Sequence, residues 1–489
     1  MKKNYFIAIA VAALMLAGPV AQALASDISF SGQIRPRLET RNHDFDDDTG
    51  MNTFWQTRVR LNATVKANDQ VGAFIQLQSV GIWGLDNKGG TDSNRGTRAA
   101  QGGAGDEASD SLDDVGLHQA YLTIKNLYGT GFDLKMGRQE VVIDGHRLYG
   151  HTGWTNGAQT NDALRLTHAA GNHNISYTFI KGLEEAILAT QDGNTGVDQG
   201  DNSDVNHHIL HASTEGVLGG SLSGIFVLYD DGGGAQNTIG DEWYTIGARQ
   251  KGKLGGLDYR VEFYHQFGDA CGDACGTYAY TTETDGDSVD RDAQMFGIRV
   301  GKTFKNVSMS PTITLWYDFL SGTDDSDVTN GDYSTFDTIQ DTGHKFYGFM
   351  DLYLARNGAK EGRLGLQDFA IKTKMSPREG WLLKADWHQF WTDVDLSENA
   401  TIAALDLKNG TGTVAPGTAT DWSKDLGNEL DITLVHKYNS NAKIVFGYSH
   451  YWNSALFSAT NPLQLQAGAD TNVEGDDSDW AYVMVDTKF

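Results

Sequence analysis

Proline and cysteine are scarce: the 489 residues hold 6 prolines and 2 cysteines. Two cysteines cannot build a disulfide framework, so nothing of that kind holds the chain together. Long apolar runs are missing too. Beyond residue 26 no stretch approaches the ~18 residues that a membrane-spanning helix needs, which excludes an ordinary helical membrane protein. Positive charge is in short supply, with 38 lysines and arginines against 64 aspartates and glutamates and a net charge of -26. Nucleic acid is therefore excluded as a partner, because a phosphate backbone demands a basic footprint. What the chain does have is 58 glycines and 10% aromatic residues. Glycine well above its ~7% average share does not suit a helical or α/β enzyme.

The N-terminus is expected to be a secretory signal peptide over residues 1–25. Lys2 and Lys3 form a positive head, Tyr5 to Leu16 an apolar centre, and Ala23-Leu24-Ala25 a small-residue exit. Head, centre and exit follow the leader layout. The mature domain then spans 26–489. No cysteine follows the apolar centre, so a lipid anchor is not expected.

Along the mature chain the apolar period is two. Ile28, Phe30, Ile34 and Leu38 alternate with Ser29, Ser31, Gln33, Arg35, Arg37 and Glu39, and Trp55, Val59, Leu61 and Val65 alternate with Arg58, Arg60, Asn62 and Lys66. The same holds for Leu257, Tyr259, Val261 and Phe263 against Asp258, Arg260, Glu262 and Tyr264, for Ile313, Leu315 and Phe319 against Thr314, Trp316 and Asp318, and for Leu430, Ile432 and Leu434 against Glu429, Asp431 and Thr433. One face of each strand wants hydrocarbon and the other water. About eighteen such segments occur, many near the ~10 residues that a tilted strand needs to cross a bilayer. Short connections (67–70, 128–130, 251–256, 376–380, 438–442) alternate with long ones (84–114, 142–161, 183–205, 269–291, 321–365, 392–427, 453–478). The fold class read from this is all-β: a transmembrane antiparallel barrel with short periplasmic turns and long extracellular loops, in the outer membrane of a Gram-negative bacterium. The last strand ends on Phe489, which fits the terminal signal read by the barrel assembly machinery.

A barrel of this size leaves an aqueous passage unless something plugs it. Taking the polar phase as inward, the candidate lumen or substrate-binding residues are Arg35, Arg37, Arg58, Arg60, Arg165, Arg249, Arg260, Arg299, Lys372 and Lys384, with Lys66, Lys135 and Lys374 beside them. The inward acids are fewer, among them Glu39, Asp133, Asp258, Glu262, Asp318, Asp368, Asp386, Glu429 and Asp431, while acid concentrates in loops such as 44–48 and 324–327. Arginine rings select anions and grip carboxylates bidentately. The competing reading is that inward acids and bases pair across strands and only stiffen the wall.

Three groups of residues resemble the alginate export family of outer-membrane porins. They are Gly137-Arg138-Gln139-Glu140 with Asp144-Gly145-His146-Arg147-Leu148, Trp154-Thr155-Asn156 and Asp162-Ala163-Leu164-Arg165-Leu166; then His344 to Asp351 with Gly365-Leu366-Gln367-Asp368; then Trp387 to Trp391 with Asp425 to Asp431. The resemblance implies an eighteen-stranded barrel and an arginine-lined constriction, and it adds Arg138 to the lumen candidates. Strict alternation from Leu134 and Met136 would turn Arg138 outward, and a bulge near Gly137 would reconcile the two. His118 stands where the family's alginate exporter carries an arginine, and the 438–442 turn is too short for that exporter's plug. The loop 84–114 remains able to fold inward. The function this implies is passive transport of anionic solutes, small anions or uronate-type oligosaccharides. The alternatives are a dedicated exopolysaccharide exporter and, in another class, a surface adhesin or structural barrel.

Cys271 and Cys275 are expected to form a local loop disulfide in an exported setting. No metal and no cofactor is expected. Outer-membrane lipid and lipopolysaccharide are the surroundings, and the acidic loops read as solvated charge. Trp55, Trp83, Trp243, Tyr451 and Trp452 read as an interfacial belt. His118, His208, His211 and His388 are the raw material for catalysis, but no nucleophile-elbow, H-E-x-x-H or P-loop pattern accompanies them, so no enzyme is expected.

Overall fold

The computed structural model describes residues 27–42, 50–83, 115–183, 204–231, 241–270, 289–353, 364–394, 424–454 and 477–489. The expected leader 1–25, the Cys271 and Cys275 pair and the loop 84–114 lie outside the described residues. The strands are β1 Asp27–Arg41, β2 Asn52–Lys66, β3 Val71–Ile82, β4 Gly116–Ile124, β5 Phe132–Gln139, β6 Asn161–Ala170, β7 His173–Leu183, β8 Val205–Val217, β9 Gly220–Asp231 and β10 Asp241–Leu254. They continue as β11 Leu257–Ala270, β12 Val289–Thr303, β13 Thr312–Leu320, β14 Asp332–Tyr333, β15 Leu366–Met375, β16 Trp381–Trp391, β17 Asp425–Lys437, β18 Ala442–Asn453 and β19 Ser478–Lys488. All but β14 pair antiparallel with their neighbours, and β1 pairs with β19 from Gln33↔Lys488 to Arg41↔Trp480, which closes the ring. The two-residue β14 lies outside the ring: it runs parallel to β12, while β13 pairs directly with β15. Of nineteen strands, eighteen therefore form the barrel.

Closure explains the period-two sequence, because each strand residue must face one of two media and no sheet edge remains. Phe30, Ile34, Leu210, Phe263, Leu315 and Phe446 are exposed on the outside, whereas Arg35, Arg37, Arg58, Glu262, Asp318, Asp368 and His388 are buried inside. This inverts the usual soluble arrangement. Among the described residues no helix is long and apolar enough to cross a membrane; the strands do so. One short helix, α1 Asp325–Asn330, sits between β13 and β14.

The interfacial belt needs a correction. Trp55, Trp83 and Trp452 are exposed as expected, and the Trp55 and Trp83 rings stack 4.9 Å apart. Trp243 and Tyr451 are only 2% and 0% exposed, because alternation turns them inward. Trp243 stacks on Tyr229 beneath the Arg291 guanidinium, and Tyr451 bonds Tyr353.

Candidate functional site: a partition across the lumen

Two connections expected outside the barrel lie inside it. Residues 140–160, between β5 and β6, and residues 321–353, after β13, enter the lumen and meet there. Their composition accounts for this. Val141, Ile143, Leu148 and Tyr149 in the first, and Phe346, Tyr347, Met350, Leu352 and Tyr353 in the second, are all buried, and apolar surface of that amount seeks cover. The two infolds join through their backbones: Gly150 N donates to Gln340 O (2.8 Å), Gln340 N to Leu148 O (2.9 Å) and Thr342 N to His146 O (3.1 Å). A side chain at Gly150 would run into Thr342, so this approach needs glycine. Asp144, His146, Thr152, Ala158, Ile339 and Asp351 have positive φ without being glycine. Such backbone persists only where its surroundings hold it.

The wall does the holding, largely through residues expected from the sequence. Arg35 Nη1 donates to Gly153 O (2.8 Å), and its Nη2 donates to Trp154 O (2.9 Å) and Asn156 Oδ1 (2.7 Å). Arg58, directly opposite Arg35 in the β1–β2 register, donates to Gly153 O and Thr155 O. Arg37 covers the Trp154 ring at 4.2 Å and pairs with Glu39 at 2.6 Å. Arg60 reaches Gln78, His118 and Glu140.

On the far wall the infold itself supplies the base. Arg147 is buried, and it donates to Glu262 Oε1 (2.8 Å), Asp318 Oδ2 (2.7 Å) and the Tyr347 hydroxyl (2.8 Å). Glu262 also faces Arg260 at 2.9 Å and Arg249 at 3.5 Å, so three guanidiniums share one carboxylate. Asp144 accepts from Ser223 Oγ at 2.8 Å and lies 3.2 Å from His211. Burial alone would raise the Asp144 carboxyl, but His211, Ser223 and Arg249 outweigh it and hold it below the usual range. The second infold is fixed by Glu429, which accepts from Phe349 N (2.6 Å) and Met350 N (2.9 Å). His388 bridges the same wall, 2.8 Å from Asp368 and 3.9 Å from Asp431.

Both readings of the lumen charges are thus present at once. Arg37, Arg249, Arg260 and Lys372 have carboxylate partners. Arg35, Arg58, Arg165, Arg299 and Lys384 form no ion pair among the described residues. Lys384 stands opposite Lys374, and Lys135 rests on the Tyr121 ring at 3.9 Å. The second infold adds Lys345, whose Nζ donates to Gly145 O at 3.2 Å. Burial, then Arg260, Arg249 and Arg147, lower that ammonium below the usual lysine range.

Arg138 is a correction. The β4–β5 and β5–β6 registers run without a shift at Gly137, so no bulge reverses the alternation. Arg138 shares the outer face with Met136 and pairs with Asp162 at 2.9 Å, the two side chains 38% and 55% exposed. The sequence reading also missed Arg147, Lys345, Gly150 and Gly348 as site residues. A usable signal was there: the runs Val141-Val142-Ile143 and Phe346 to Tyr353 are too apolar for solvated loops.

A closed eighteen-stranded barrel with a hydrocarbon-facing exterior, a charged interior and loops folded into its lumen is an outer-membrane channel of the porin type. The sequence profile for alginate export matches residues 26–466, and the chain belongs to the alginate export family. No curated protein matches it significantly. Among solved structures it is similar to Pseudomonas aeruginosa OpdL, with 12% identity, 95% of this chain and 99% of that one covered, and a TM-score of 0.54. Acinetobacter baumannii OccAB4 matches at 10% identity over 95% and 98%, also with 0.54. Pseudomonas aeruginosa OpdO matches at 11% over 96% and 99%, with 0.53. At such identities the likeness shows the fold alone. Family and fold together point to a transport channel and not to a catalyst.

Proposed function

We propose that this channel passes anionic solutes, small anions or uronate-type oligosaccharides, passively across the outer membrane, reached by way of the leader at 1–25. The observation that carries the reading is the set of lumen cations left without carboxylates: Arg35 and Arg58 beneath the first infold, Arg165 and Arg299 lower in the wall, and Lys345 at the meeting of the infolds. Cations near a narrowed aqueous path raise the local concentration of anions. A dedicated exporter of a long alginate-like polymer is the second reading. It would have to displace two infolds anchored to β1, β2, β11, β13 and β17, which favours small or oligomeric solutes. Lipopolysaccharide around the barrel and the assembly machinery at Phe489 are the proposed partners. The Phe489 amide and carbonyl pair with those of Gly32 across the closing seam.

Reversal potentials of the purified protein in a salt gradient test the reading. The expected sign is anion preference, and a cation-selective or unselective pore refutes it. Liposome swelling separates a channel from an adhesin, since an adhesin leaves the membrane impermeable.

A further inference from the structure

Three neighbouring strands set a row of donors around one indole. Arg260 on β11 stands directly opposite Arg299 on β12, and Arg299 directly opposite Trp316 on β13. The Arg299 guanidinium lies over the Trp316 ring, with Lys372 Nζ 4.4 Å and Arg260 Cζ 5.3 Å from the ring centroid. Trp316 is 7% exposed, yet its Nε1 finds no acceptor among the described residues, and neither do Arg299 Nε and Nη2. Indole and guanidinium nitrogens only donate, so the row lacks an acceptor.

Charge points the same way. Arg260 bonds Glu262 at 2.9 Å and Lys372 faces Asp386 at 3.7 Å. Of the three cations at the indole, Arg299 alone has no carboxylate. A carboxylate brings the paired acceptor oxygens that a guanidinium fork and an indole N–H lack here. The Phe346 ring, 6.2 Å from Trp316 and 5.4 Å from the Arg299 guanidinium, offers an apolar wall for the carbon body behind that charge. The level in the barrel is informative as well. Arg260 is the fourth residue of β11 from its short-turn end, and Lys372 the fourth of β15 counted from the same end. The Arg147 anchors, Glu262 and Asp318, stand two residues further toward the long loops.

We infer that Arg260, Arg299, Trp316 and Lys372 form a subsite for an organic carboxylate on the periplasmic side of the partition. It deepens the anion-channel reading and rests on it. The guanidinium of Arg299 swings from the indole face to take the carboxylate, the indole N–H adds a donor, and Lys372 and Arg260 supply field. Solute arriving from the periplasm meets this subsite before the infolds, and solute from outside meets it after them.

The test is current block in planar bilayers by a galacturonate trimer added to one chamber at a time, with inorganic phosphate as a parallel probe. Insertion direction is read from protease cleavage of the long loops. The trimer is expected to block from the periplasmic side at about a tenth of the concentration needed from the other. R299Q should weaken that block about tenfold, the loss of one charge-assisted contact, and erase the sidedness; W316F should weaken it less. R299K keeps the charge without the fork and should lose most of the block. If wild type selects anions but R299Q, R299K and W316F all block as it does, the subsite is wrong and the channel reading stands. Wild-type cation preference overturns both. Phosphate blocking as well as the trimer overturns the carboxylate assignment. R299K and W316F, both mild in shape, keep the proposal testable if R299Q fails to give a heat-modifiable barrel.

Discussion

Replacing Arg147 by Met removes the guanidinium that ties the first infold to β11 and β13 while keeping an unbranched stem and much of the volume. The cost falls unequally on the two carboxylates. Glu262 keeps Arg260 at 2.9 Å and Arg249 at 3.5 Å. Asp318 is 0% exposed, its Oδ2 bonds Arg147, and its Oδ1 has no partner among the described residues, so it is left as a stranded buried charge. Breaking a buried pair on one side costs about 3–5 kcal/mol, and each 1.4 kcal/mol is tenfold in population. The displaced infold should therefore gain roughly two to three and a half powers of ten. Single-channel recordings should show a larger, noisier conductance with the barrel still heat-modifiable. Adding Asp318→Asn should return about 2 kcal/mol of the loss, because it removes the stranded charge. An R147M channel with wild-type conductance and noise would refute the argument that this cluster holds the partition. So would a double mutant that loses the sum of the single effects.

Acid should loosen the same infold by another route. Burial, then Lys345 and His151, lower the His146 imidazole from 6.5 to about 4. A displaced infold takes up its proton near 6.5 and the seated one only near 4, so the seated state loses stability as pH falls through that window. Open events should rise on acidification, and H146N should flatten the profile. Gly348 has φ +83, and a Cβ there would lie 2.7 Å from Glu429 Oε1. G348A should displace the carboxylate from the Phe349 and Met350 amides at a cost of about 3 kcal/mol, seen as faster proteolysis within 321–353. R138Q removes an outer-face pair and should leave reversal potentials unchanged; a shift toward cations would return Arg138 to the lumen.

The strands were legible because closure leaves each residue a choice of only two media. Leu315 and Asp318 declare their faces by type, and the structure agrees, with Leu315 exposed and Asp318 buried. Reading by type failed where a residue is amphipathic or near a rim. Trp243 and Tyr451 suit a membrane interface as well as an aromatic lumen contact, and only their place in the alternation separates the two. Arg138 was misplaced because the family signature outweighed the parity of Leu134 and Met136. The infolds were invisible to alternation altogether. Their fold comes from partners far away in sequence: Arg147 meets Glu262 and Asp318, and Phe349 meets Glu429, across 115, 171 and 80 positions. Segments 140–160 and 321–353 therefore have no local period to read, and only their apolar content marked them.

The same separation governs the charge of the pore. Alternation identifies which arginines face inward, but their meaning for a passing ion depends on what each has already met. Arg37 is balanced by Glu39 and contributes little net field, whereas Arg260 shares Glu262 with Arg147 and Arg249. Arg35 and Arg58 turn their terminal nitrogens on peptide carbonyls, which accept from them without cancelling their charge. A carbonyl-bound guanidinium is thus a structural anchor and a source of positive potential together. The infolds need cations for their strained backbone, and in meeting that need they keep guanidiniums without carboxylate partners inside the barrel. The net charge of -26 is a sum over the whole chain and carries no information about this local sign.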